Sequence, residues 1–147
     1  MIQFILKTVV NALGGVETSE KKHVDTYTEN RIKTVNGEQI AFTEHGGIWA
    51  EFQELTEFQF MNITVIGKTK FKTYDGCQLI FVSNHSELHL VSDTLEIESD
   101  YSNVSERWIT EISFDITDKN IEMITHKEAI KVHLNFKKNS ESFDIIK

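Results

Sequence analysis

The chain has 147 residues, 39% of them hydrophobic and 26% charged, a balance too apolar for a disordered segment and long enough for one core that buries roughly two thirds of the unfolded surface. A formal net charge of −8 at pH 7 repels phosphate backbones and argues against a nucleic-acid binder. The single cysteine, Cys77, excludes an internal disulfide framework and fits a reducing, cytoplasmic setting, while no run approaches the roughly twenty apolar residues of a membrane span and the opening Met-Ile-Gln-Phe-Ile-Leu-Lys lacks the leading cations of a secretory signal.

Ile2, Ile5, Leu6, Val9, Val10 and Leu13 recur at three- and four-residue steps, which predicts an amphipathic helix over residues 1–15 that ends at Gly14-Gly15. Its apolar stripe is expected to pack on the rest of the domain, with homodimerisation through that stripe as the alternative; a polar face offering only Lys7 argues against a membrane surface. Val16 to Thr28 reads as a polar linker. Residues 16–147 are expected to form one antiparallel β domain.

Ile32 to Val35 and Gln39 to Phe42 flank Asn36-Gly37, the pair that favours a tight hairpin turn. Residues 48–55 fit a helix through Ile48, Trp49, Phe52 and Leu55 as well as a strand through Ile48, Ala50 and Phe52, and stay open between the two. Phe58 to Ile66 reads as a strand with apolar residues on both faces. Lys68 to Thr73 reads as one with lysines on one side, and Tyr74 to Cys77 as the turn after it. The unbroken apolar run Leu79 to Val82 predicts a strand covered on both faces and centrally placed.

Glu87 to Ser92 and Thr94 to Glu98 follow as strands, with Ser99 to Ser105 as a loop. Trp108, Thr110, Ile112, Phe114 and Ile116 alternate with Ile109, Glu111, Ser113 and Asp115, and Ile130, Val132, Leu134 and Phe136 repeat the pattern. Strand signals every eight to twelve residues or so, with connections too short for helical crossovers, define a mainly β fold: an antiparallel meander forming a sandwich or barrel, with the one N-terminal helix.

His85, Glu87 and His89 fall at alternate positions and share a strand face, and two imidazoles with a carboxylate are competent zinc or iron ligands. The outer pair spans about 13 Å on an extended strand, so two adjacent members at most could chelate, and a solvated face opposite Leu88 and Leu90 is the plainer reading. His23, His45, His126 and His133 are scattered. Cys77 borders an apolar strand, where inert burial outweighs nucleophilic chemistry, and no Gly-x-Ser-x-Gly elbow is present. The acidic stretches Asp93 to Asp100 and Asp115 to Glu122 lack a calcium-loop glycine. Lys68, Lys70 and Lys72 would line one strand face, with Lys131 and Lys137 on another, as a small anion patch or as charges that keep an edge from pairing.

With no catalytic constellation and no cofactor motif, the expectation is a non-catalytic binding domain that recognises another protein, as an adaptor or an inhibitor of a basic partner. A β-barrel carrier of a small hydrophobic ligand is the alternative, on the strength of the aromatic residues. A metal-dependent hydrolase at His85, Glu87 and His89 is the third.

Overall fold

The computed structural model describes residues 26–126 and 128–147; the helix expected over residues 1–15 and nearly all of the linker after it lie outside them. Among the described residues eleven strands form, β1 (Glu38–Thr43), β2 (Gly46–Leu55), β3 (Phe58–Gly67), β4 (Lys72–Thr73), β5 (Gln78–Val82), β6 (Glu87–Val91), β7 (Ile97–Glu98), β8 (Asp100–Ser102), β9 (Arg107–Ile116), β10 (Lys131–Asn135) and β11 (Ser140–Ile145), with helices α1 (Tyr27–Lys33) and α2 (Asp118–Thr125). Among the described residues no helix is long and apolar enough to cross a membrane.

Nine strands make one antiparallel sheet in the order β6-β5-β10-β11-β1-β2-β3-β9-β8, and β4 pairs with β7 apart from it. The antiparallel β reading therefore holds, but the nine-stranded sheet is not closed into a barrel. β8 is three residues long and covers only the first part of β9. The far part of β9 meets the chain leaving β6 at a single bridge, Ser92 to Phe114, where the Asp93 amide donates to the Ser113 carbonyl at 2.9 Å. Nor is the order a simple meander: β5–β10, β11–β1 and β3–β9 are long-range pairings between local hairpins.

The alternation on β9 and β10 decides which face is dry. Ile112, Phe114, Ile116, Val132 and Leu134 enter one core with Ala41, Ile48, Ile63, Leu79 and Phe143, so that core runs from β1 to β11. α2 covers one margin with Ile121 and Ile124, and starts at a reciprocal cap in which Thr117 and Asn120 each accept the other's backbone N–H. Phe71 and Ile97 cover the other side from the β4–β7 layer.

Several expectations change. Residues 32 and 33 belong to α1, and Asn36-Gly37 connects a helix to a strand rather than closing a hairpin. Gly37, at φ +95°, lies where an added Cβ would come 2.5 Å from the Ala50 carbonyl oxygen, so the turn needs glycine. α1 crosses the outer face of the sheet, where Ile32 packs with Ile66, Ile109, Val35 and Trp49 in a second, smaller core. Residues 48–55 are strand throughout. Only Lys72–Thr73 and Ile97–Glu98 of the expected Lys68–Thr73 and Thr94–Glu98 strands pair. β5 is second from the sheet margin rather than central, with Ile80 and Val82 half-buried on its outer face.

Candidate functional site

β1 enters the sheet through Gly37, and its first pairing with β2 is Glu38 to Ala50. Beyond Ala50, β2 pairs with β3 on one side only, through Leu55 opposite Phe58. Residues Glu51–Leu55 are all exposed, so their outward amides and carbonyls form an open edge among the described residues. Phe52, Leu55 and Phe58 are 36%, 62% and 64% exposed, and alternation sets Phe52 on the core-side face and the other two on the outer face. Glu51, Glu54 and Glu57 surround them, and the row Gln53–Phe60–Asp115 brings a further carboxylate to the outer face. Partial desolvation by its neighbours raises the Asp115 carboxyl above its ordinary range although the residue is exposed, helped by the neighbouring charge of Asp93. The hairpin closes through Thr56 at φ +53°, a left-handed conformation that a β-branched residue rarely adopts.

At the opposite end of the strands the β10–β11 turn and the segment from β4 to β5 face each other across a cleft of about 550 Å³. Lys70, Lys72, Lys137 and Lys138 line it with Thr73, Tyr74, Asp75, Phe136 and Asn139. The lysines expected on one strand face thus meet those of a distant hairpin, while Lys68 turns to the Glu106 carbonyl at 3.0 Å and Lys131 pairs with Asp144 at 2.8 Å, both outside the cleft. Lys72 approaches Glu98 at 3.7 Å and Lys137 approaches Asp75 at 3.6 Å. Both pairs are solvated and contribute little stability.

Glu87 and His89 sit on the outer face of β6, with Glu87 Oε1 and His89 Nε2 2.8 Å apart and both side chains half exposed. His85 lies in the exposed turn before β6, and no group of three metal-ligating side chains comes together among the described residues. His133 faces the other side of Ile80 and hydrogen-bonds Ser142 at 2.6 Å. Cys77 is buried, and desolvation pushes its thiol up to about 11, which suppresses the nucleophilic thiolate. The apolar recesses beside α2 hold about 40 and 20 Å³, each on the scale of a single water.

Two features escaped sequence reasoning. Glu29 on α1 is buried and accepts the Ser102 and Ser105 hydroxyls at 2.6 and 2.7 Å, which lowers its carboxyl and pins the helix to the β8–β9 turn. Thr26-x-x-Glu29 has the spacing of a capping box, a visible helix signal, although here the glutamate serves the distant serines and Thr26 makes no side-chain cap. The open edge of β2 had one trace, Phe52 and Leu55, large apolar residues in a segment that fits a helix as well as a strand. Comparison with family models, curated proteins and solved structures finds no match for this chain.

Proposed function

We propose that the chain is a non-catalytic recognition domain that binds an extended segment of another protein along the open edge of β2. The observation that carries this reading is the run Glu51–Leu55, strand in conformation, exposed at every residue and, among the described residues, unpaired on the β1 side. A free edge of this kind offers main-chain hydrogen bonds to an added strand, and flanking apolar side chains supply the affinity that backbone pairing lacks. Phe52 and Leu55 lie on opposite faces, so an added strand gains apolar contact on both.

Charge selects the occupant. Glu51, Glu54 and Glu57 put three carboxylates within one hairpin end, with Asp115 on the adjoining row. A second copy of the same edge would bring like charges together, whereas a segment alternating apolar residues with lysine or arginine is complementary. Such a partner matches the inhibitor-like role in which an acidic domain engages a basic protein.

A random-peptide display library panned on the full chain, on a Leu55→Asp/Phe58→Asp variant and on a Lys72→Ala/Lys137→Ala variant tests the reading. Extended apolar-basic peptides should be enriched on the first and third proteins and not on the second, with amide exchange slowed at residues 51–55. Both substituted hairpin positions are exposed, so an unchanged melting temperature separates lost binding from lost folding. Enrichment without that motif, binding indifferent to the hairpin substitutions, or a wild-type dimer that these substitutions dissolve would overturn it.

A further inference from the structure

The lysine cleft is a second surface of opposite character. Four lysines line it with one carboxylate, Asp75, in a chain whose overall charge is −8; outside the lining, Glu98 lies 3.7 Å from Lys72 and the Trp108 ring 5.4 Å from the Lys70 ammonium. Both walls are held in place. On one, the Asp75 amide donates to Thr73 Oγ1 at 3.1 Å, the Gly76 amide to the Leu95 carbonyl at 2.9 Å and the Cys77 amide to Ser92 Oγ at 2.9 Å. On the other, the Phe136 amide donates to the Asn139 carbonyl at 2.8 Å. The two walls are clamped together by Phe71 and Phe136, whose rings stack at 4.4 Å and 14°.

We propose that this cleft binds a soluble small molecule bearing a phosphate or pyrophosphate group. Lysine ammoniums act as point charges toward phosphate oxygens, and four lysines against Asp75 and the neighbouring Glu98 leave a surplus of two positive charges, which calls for a ligand with two or more negative ones. The cleft volume lies in the range of small-molecule sites, with room for more than the anion alone, and Tyr74 and Phe136 offer apolar surface to the remainder of the ligand. Fixed walls mean that little ordering is required when it binds. Nothing in this site depends on the hairpin edge, which lies at the other end of the strands.

Isothermal titration of the full chain at low ionic strength tests the proposal with inorganic pyrophosphate, a nucleoside diphosphate and vesicles containing phosphatidic acid as separate probes. Saturable binding of pyrophosphate or of the nucleotide should weaken about fivefold for each lysine removed among Lys70, Lys72, Lys137 and Lys138, the scale of one unit-charge contact in water. Asp75→Asn should tighten it, because it removes the competing carboxylate beside Lys137. Lys68→Ala, outside the cleft, should leave it unchanged. Absence of saturable binding by either soluble probe, binding by vesicles alone, or equal weakening by Lys68→Ala would overturn the proposal.

Discussion

Replacing Ser99 by alanine removes one hydroxyl that serves two buried partners. Ser99 Oγ accepts the Phe71 amide at 2.7 Å and lies 2.6 Å from Thr110 Oγ1, and the three residues are 5%, 1% and 1% exposed. The Ser99 amide also donates to the Phe71 carbonyl at 2.9 Å, so this pair ties the β4–β7 layer to β9 beneath the lysine cleft. Alanine strands a backbone N–H and a hydroxyl away from water, and at about 1–3 kcal/mol each the loss should reach ~2–6 kcal/mol, a large share of the ~5–15 kcal/mol that holds a domain folded. Thr110→Val leaves the Phe71 amide satisfied and should cost about 1 kcal/mol. In the double variant only the Phe71 amide lacks a partner, so its loss of about 1–3 kcal/mol should fall below the sum of the single effects. Urea unfolding at constant m-value measures all three, and melting temperatures should follow at about 3 °C per kcal/mol. A Ser99→Ala loss under about 0.5 kcal/mol, or strict additivity in the double variant, would refute the shared-hydroxyl account.

Four further outcomes follow from particular groups. The Glu29 carboxyl is held below its ordinary range by Ser102 and Ser105, so its stabilisation is present above the unfolded value of about 4.3 and is lost as pH falls through the depressed folded value; Glu29→Gln should flatten that part of the acid melting profile. Asp115 is shifted the other way, so its ionisation opposes folding at neutral pH, and Asp115→Asn should melt at or above wild type at pH 7 with the difference vanishing at about pH 3, where the Asp115 carboxyl is protonated in the folded and the unfolded chain alike. Cys77, buried and pushed up to about 11, should react with a thiol reagent at pH 8 only at the rate of unfolding, as stopped-flow absorbance would record. Thr56→Gly should stabilise by about 0.5–1 kcal/mol in thermal melts, because glycine accepts the positive φ at lower cost than a β-branched residue.

What the sequence disclosed depended on whether an element has one wet face. β9 and β10 alternate cleanly because Glu111 and Asp115, or Lys131 and His133, meet solvent opposite a dry core, and period two then reads directly. β2 resisted because Phe52 and Leu55 are apolar without being buried, so hydrophobicity and burial part company where the proposed edge lies. β5 looked central because Ile80 and Val82 are apolar on an outer face that stays half-exposed. α1 was hidden by its length, with Ile32 and Val35 giving too little period to compete with the turn signal of Asn36-Gly37. Strand pairing was not legible: Asn36-Gly37 signalled a hairpin that does not form, and β5–β10 and β11–β1 join segments whose partners no local pattern names. The lysine cleft was half visible for the same reason: Lys70 and Lys72 announced themselves by alternation, and only the fold brings Lys137 and Lys138 to them.

The two proposed surfaces require each other's distance. Register places the β1–β2 and β10–β11 turns at one end of the sheet, through Phe42 opposite Asp144 and Asn135 opposite Ser140, and the β2–β3 turn at the other, beyond Leu55 opposite Phe58. Lys137 and Lys138 therefore crown one end, while Glu51, Glu54 and Glu57 occupy the other. β2 has ten residues and spans about 33 Å, several times the ~8 Å over which exposed charges act at physiological ionic strength. Brought within that distance, the lysines would pair with the hairpin glutamates, and neither end would keep the excess charge proposed to select a ligand of opposite sign. Strand length is thus part of the proposed recognition chemistry, because it keeps the lysines of the cleft apart from the glutamates of the hairpin in an acidic protein.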